Sequence, residues 1–263
     1  MQVNGFDVLV EGDGAESILL LHGWPDTHRL WDAQVAALRG QYRCIRFTLP
    51  GFEAGARRHS FTLDHVVETI RQVVERAAGG QPVTLLLHDW GCVFGYQFAL
   101  RHPQLVQRVI GVDVGDAGSR RHVQSLSLKA KAQIAGYQGW LAVASKIGGK
   151  LGDRMARFMA RAGRAPADPA TVHANMGWPY RLAWTGGFRG AKLFTPHCPM
   201  LFVYGTRKPF TFHSREWAAD VAGRPGCRVE GFDCGHWVMV ARRDAFNALV
   251  EQWLRRDAGA VNA

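Results

Sequence analysis

Cysteine is scarce. Cys44, Cys92, Cys198, Cys227 and Cys234 are odd in number, stand far apart and include no Cys-x-x-Cys pair. This argues against a disulfide framework or a zinc site and leaves small buried thiols as the reading. No apolar run is long enough to span a bilayer, and the stretch from Met1 to Glu11 has no basic start followed by an apolar core. The expectation is therefore a soluble, cytoplasmic protein with no membrane partner. A long basic block is missing too: the formal charge is +10, but Arg57-Arg58, Arg120-Arg121 and Arg242-Arg243 are pairs scattered among other residues. With no helix-turn-helix, zinc finger or ribonucleoprotein signature, the surplus reads as a basic solvated surface and no nucleic-acid partner is expected. No internal repeat is visible.

What is present is an alternation of short apolar runs and helical patterns. At 263 residues the chain can form one large α/β domain carrying an insertion. Strands are predicted over Gln2 to Val10, Ser17 to Leu21, Tyr42 to Leu49, Val83 to Leu87, Val106 to Val114, Pro199 to Gly205 and Arg228 to Phe232. Apolar residues at helical spacing run from Thr62 to Ala78, with Thr62 as the cap. Further helices are predicted from Gly91 to His102, from Phe212 to Val221 and from about Val238 to Leu254, before a frayed tail at Ala258 to Ala263. Such an order implies a mainly parallel sheet with helices on both faces. Between Ala117 and Pro196 the pattern changes to basic helices with Gly and Trp interspersed and no clear strand.

The stretch Val-Thr-Leu-Leu-Leu-His-Asp-Trp-Gly, residues 83–91, organises the rest. A buried strand runs directly into a helix, so Asp89 falls on the sharp turn between them. An aspartate there could simply cap the helix. A carboxylate on such an elbow is also a nucleophile suited to an electrophilic sp3 carbon, because the alkyl ester it forms can be hydrolysed in a second step.

His88-Asp89-Trp90-Gly91 resembles the signature of the epoxide hydrolases and haloalkane dehalogenases of the α/β-hydrolase superfamily. His22-Gly23-Trp24-Pro25 resembles the superfamily's His-Gly-x-Pro segment, and Gly235-His236 its histidine loop. The resemblance implies an α/β-hydrolase fold, with 1–116 and 197–263 as the core domain and 117–196 as a helical cap. It implies Asp89 as nucleophile, His236 as the base that activates water, and the backbone N–H groups of Trp24 and Trp90 as an oxyanion hole. Trp24 and Trp90 would also contact substrate. His22 and His88 would support the two motif loops.

The triad acid is open. Relatives that place it after the strand at Met200 to Gly205 would show a carboxylate there, but this chain reads Thr206-Arg207-Lys208-Pro209-Phe210. Some dehalogenases use the end of the strand before the cap instead. Here that segment offers Asp113 and Asp116, and counting along the family's strand favours Asp116. Epoxide opening needs an acid as well, supplied in that family by two cap tyrosines. Of five tyrosines in the chain, Tyr180 in Trp178-Pro179-Tyr180-Arg181 and Tyr137 in Gly136-Tyr137-Gln138 are the candidates. Trp140, Trp178 and Trp184 read as packing residues, pocket walls or a halide-binding partner of Trp90.

The implied activity is epoxide hydrolysis to a diol. Haloalkane dehalogenation is the alternative, favoured by Leu87 and the displaced acid and opposed by Trp24. A silent ligand-binding protein on a hydrolase scaffold is the reading from another class. No metal or organic cofactor is implied, the substrate is a small apolar electrophile, and nothing argues against a homo-oligomer.

Overall fold

The computed structural model describes residues 1–55, 59 and 61–260, the last five of these by backbone alone. Arg57-Arg58 and the last residues of the expected tail lie outside the described residues. Eight strands form one sheet: β1 (Gln2–Val3), β2 (Phe6–Glu11), β3 (Ser17–Leu21), β4 (Arg43–Phe47), β5 (Val83–His88), β6 (Val106–Val112), β7 (Met200–Gly205) and β8 (Arg228–Phe232), in the order β1-β2-β4-β3-β5-β6-β7-β8. β1 and β2 pair antiparallel with each other, β2 pairs antiparallel with β4, and β4 to β8 run parallel. The single entry strand expected over Gln2 to Val10 is a hairpin, because Asn4 and Gly5 both take positive φ (51° and 82°). An Asn-Gly pair is the sequence that favours such a two-residue turn.

The side-chain alternation of a strand assigns β3 to two cores at once. Leu19 and Leu21 point into the core under α2 (Leu63–Ala77) and α3 (Trp90–Arg101), while Ile18 and Leu20 point into the one under α1 (Asp32–Leu38) and the C-terminal helices. Thr62 caps α2 by accepting from the His65 amide, as expected. α8 (Arg215–Ala222) begins three residues later than the sequence pattern suggests, where Ser214 caps it by accepting from the Trp217 amide. The expected last helix is two, α9 (Val238–Ala241) and α10 (Arg243–Ala260), with the break at Arg242. α10 continues through residues expected to fray.

Four helices stand between β6 and β7: α4 (Arg120–Ser125), α5 (Leu128–Ile147), α6 (Gly149–Ala162) and α7 (Trp178–Trp184). Trp178 ties this insertion down: its indole donates to Pro50 O at 2.8 Å and its ring stacks on Phe94 of α3 at 5.7 Å. Trp140 and Trp184 are instead exposed. Among the described residues no helix is long and apolar enough to cross a membrane.

Candidate active site

β5 ends at His88 and α3 starts at Trp90, which leaves one residue to make the turn. That residue, Asp89, has φ 52° and ψ −120°, a backbone conformation that costs a non-glycine residue on the order of 1–3 kcal/mol. The neighbourhood is built to hold it. A Cβ on Gly91 would stand 2.2 Å from Leu21 O, and one on Gly23 would stand 2.2 Å from Asp89 Oδ1 and 2.5 Å from Trp90 N. These glycines let β3, its following loop and α3 close on the carboxylate. Within that contact the Trp24 amide donates to Asp89 Oδ1 at 2.7 Å. The Trp90 amide, first in α3, has no acceptor within its own helix.

His236 sits in the loop after β8, with Nε2 at 3.6 Å from Asp89 Oδ2. Its Nδ1 makes a short hydrogen bond to Asp113 Oδ2. Asp113 is fully buried; its other oxygen accepts from the Gly205 amide at 2.9 Å and from Lys208 Nζ. Asp116 is therefore not the partner of His236, and the sequence count is corrected. β6 ends at Val112 and the chain turns immediately at Asp113, with φ 70°, so the carboxylate at the sheet's edge comes three residues earlier than counted. Asp116 instead holds Ser214, the cap residue of α8, accepting from Ser214 N at 2.6 Å, Ser214 Oγ at 2.8 Å and Ser119 Oγ at 2.6 Å.

The electrostatics follow from burial and pairing. Burial alone would raise the Asp89 carboxyl, but hydrogen bonding to His236 and its charge hold it below the usual carboxylate range. Asp113 is held low despite burial by Lys208 and His236. Burial would depress His236, yet Asp113 and Asp89 together push it up to about 9. His88, fully buried against His236, is lowered to about 3 by desolvation and by its charged neighbour, so it stays neutral. Its Nε2 meets His236 O at 3.3 Å. His22, lowered to about 4 by burial, accepts the Leu49 amide at 2.9 Å. Both histidines thus brace motif loops.

The insertion covers the elbow with aromatic rings. Tyr180 of α7 stands edge-on to Trp90 at 5.1 Å, to Trp24 at 6.0 Å and to Tyr137 of α5 at 6.0 Å. Burial, and secondarily the Asp89 charge, raise both phenols above their ordinary value, so both keep their protons. Two cavities, of about 510 and 840 Å³, meet at Asp89, Tyr137, Tyr180 and Phe212; only the larger reaches Trp24 and His236. The indole N–H of Trp24 is buried with no hydrogen-bond partner among the described residues, and that of Trp90 is buried against the Tyr180 phenol.

Two residues of this site escaped sequence reasoning. Lys208 occupies the loop where a carboxylate was sought, and its cation anchors the acid that β6 supplies. Asp26, next to the cis Trp24-Pro25 bond, accepts from the Trp237 indole at 2.8 Å, and burial raises its carboxyl to about 7. The adjacency of Asp26 to the His-Gly-x-Pro loop was the available signal.

A parallel sheet with an acid on a strained strand-to-helix elbow defines an α/β hydrolase by fold. A family model described as alpha/beta hydrolase fold matches residues 16–144. Epoxide hydrolase 2 of Caenorhabditis elegans is 23% identical over 265 residues, covering 92% of this chain and 74% of that protein. Probable oxidoreductase EphD of Mycobacterium tuberculosis is 30% identical over 110 residues, but the match spans 41% of this chain and only 18% of that protein. Among solved structures, an epoxide hydrolase of Bacillus megaterium bound to an inhibitor superposes with a TM-score of 0.76 at 22% identity, covering 97% of this chain and 99% of that one. A meta-cleavage product hydrolase of Pseudomonas fluorescens follows the same fold, with a TM-score of 0.64 at 16% identity and 96% of each chain covered. The chain has the α/β-hydrolase fold, and the proteins it is similar to include epoxide hydrolases.

Proposed function

We propose that the protein hydrolyses an apolar epoxide to a diol through a covalent ester on Asp89. One observation carries this reading: the elbow carboxylate stands 3.6 Å from His236 of the His236–Asp113 pair and shares both cavities with the phenols of Tyr137 and Tyr180. Asp89 attacks one epoxide carbon; the C–O bond breaks, and the oxygen takes a proton from Tyr180 or Tyr137. His236 then removes a proton from water, and the hydroxide attacks the ester carbonyl. The Trp24 and Trp90 amides hold the oxyanion of that step. Collapse releases the diol and restores the carboxylate, and the tyrosine recovers its proton from the imidazolium by way of solvent. The helical insertion acts as a cap that excludes water from the first step.

The raised pKa of His236 fits this order. In the free protein two carboxylates favour the imidazolium. Esterification removes the Asp89 charge, so the His236 pKa falls and the imidazole is free of its proton when the ester needs a base.

A single turnover in water enriched in oxygen-18 tests the route. The first diol should carry no label and Asp89 should acquire it; label appearing directly in that diol would mean that water attacks the epoxide without an ester.

A second reading is favoured by the unpartnered indole of Trp24, beside the buried indole of Trp90. Two buried N–H donors beside the nucleophile would suit a departing halide, so halide release from a haloalkane panel would move the assignment to dehalogenase.

A further inference from the structure

The net charge of this chain is not spread over its surface. Residues 117–196 hold 13 Lys and Arg against 2 Asp, whereas all other residues together hold 19 against 20. The helical insertion thus carries the whole surplus. Its only two acids, Asp153 and Asp168, offset two of these cations and leave the insertion strongly basic.

The insertion also exposes apolar side chains in one place. Trp140, Val143 and Ile147 follow one face of α5 at spacings of three and four, and Leu151 and Phe158 follow one face of α6. All five are between 39% and 58% exposed. The two rows adjoin: the Trp140 ring meets Phe158 at 5.6 Å, and its indole donates to Met155 O at 2.9 Å. Directly beside the α6 row, one step around the helix, lie exposed Lys150, Arg154 and Arg161. Small residues, Gly152, Ala156 and Ala160, are buried on the opposite side. An apolar stripe with aromatics flanked by a cationic stripe is the pattern of a helix lying in a bilayer interface.

We propose that the α5–α6 face docks the protein onto an anionic lipid surface. Charge selects this occupant. A second copy would bring one strongly basic face against another, whereas anionic headgroups complement the cationic row and the acyl boundary takes Leu151, Phe158 and Trp140. The lack of a spanning helix, from which no membrane partner was expected, does not bear on contact from one side. The face also continues into the site: Ala162, Gly163 and Arg164, at the end of α6, line the rim of the 840 Å³ cavity. Docking brings that mouth to the bilayer, from which an apolar substrate could enter; this last consequence alone rests on the proposed function.

The test is flotation of the full chain with vesicles, which involves no substrate and so does not depend on the catalytic reading. The chain should float with vesicles of phosphatidylglycerol mixed into phosphatidylcholine and remain behind with phosphatidylcholine alone. Each charge removed by Lys150→Gln, Arg154→Gln or Arg161→Gln should weaken partitioning about fivefold. Raising salt from about 0.1 to 1 M, which shortens the Debye length from about 10 to 3 Å, should release the protein. Leu151→Ser with Phe158→Ser should weaken it too, at an unchanged melting temperature, since both side chains are exposed. No flotation, equal flotation on both vesicle types, or insensitivity to the apolar substitutions would overturn the proposal. So would lipid-independent self-association that Leu151→Ser and Phe158→Ser abolish, which would assign the face to a second copy.

Discussion

Replacing Lys208 with methionine keeps most of the side-chain volume and deletes one charge. The Lys208 side chain is 8% exposed and that of Asp113 is 0% exposed, so their pair is buried. Removing one partner of a buried pair costs about 3–5 kcal/mol, because the other charge stays without compensation. Asp113 keeps the Gly205 amide and the His236 imidazolium, which places the expected loss near the lower end, about 3 kcal/mol. For a chain of this size each kcal/mol moves the melting temperature by about 2–4 °C, so a fall of about 6–12 °C is expected. A second effect follows from Coulomb's law: with the ammonium gone, Asp113 attracts the imidazolium more strongly, and the rising limb of the pH–rate profile should shift to higher pH. Thermal melts and turnover of an epoxide across pH measure both. A Lys208→Met variant that melts within about 1 °C of the parent and keeps its pH profile would refute the claim that Lys208 anchors the acid.

The two aspartates after β6 should separate by assay. Asp116→Ala leaves the buried Ser214 amide and hydroxyl unpaired and should cost about 2–3 kcal/mol in urea melts with the pH profile unmoved, whereas Asp113→Asn should collapse turnover. Gly23→Ala drives a methyl into Asp89 and should abolish activity, while Gly235→Ala, whose Cβ would meet nothing within 4 Å, should be nearly silent; similar rates for the two would contradict the close approach. The folded protein raises His236 from 6.5 to about 9, so it binds a proton there that the unfolded chain releases. The resulting stabilisation is fully present below about pH 6.5 and disappears as the pH rises through about 9. The urea midpoints of the parent and His236→Gln should therefore converge across that window, and a constant difference would count against a charged His236 in the free protein.

Much of this was legible in the sequence because it rests on local signals. The strand run before Asp89, the two glycine loops and the apolar spacing of α2 are each written in a few adjacent residues, and the superfamily's fold follows from their order. The boundaries that escaped depend on single turns. Asn4-Gly5 splits the entry strand, and Ser214 rather than Phe212 opens α8. The exchange of Asp116 for Asp113 has the same origin: periodicity gives the strand but not the residue at which it leaves the sheet, and a one-residue shift redirects every side chain. Lys208 was invisible for another reason. Its partner is 95 positions away in sequence, and only the pairing of β6 with β7 brings them together.

The central claim is a covalent ester on Asp89 that His236 hydrolyses. His236→Gln, exposed separately to epoxides and haloalkanes and examined by intact-protein mass spectrometry with peptide mapping, tests it most directly. The account predicts that the variant accumulates an adduct equal in mass to the whole epoxide on Asp89, absent from Asp89→Asn. An adduct of an alkyl group without its halide would keep the nucleophile and change the substrate. Parent turnover with no adduct on Asp89 in the variant, or turnover that survives Asp89→Asn, would contradict the account.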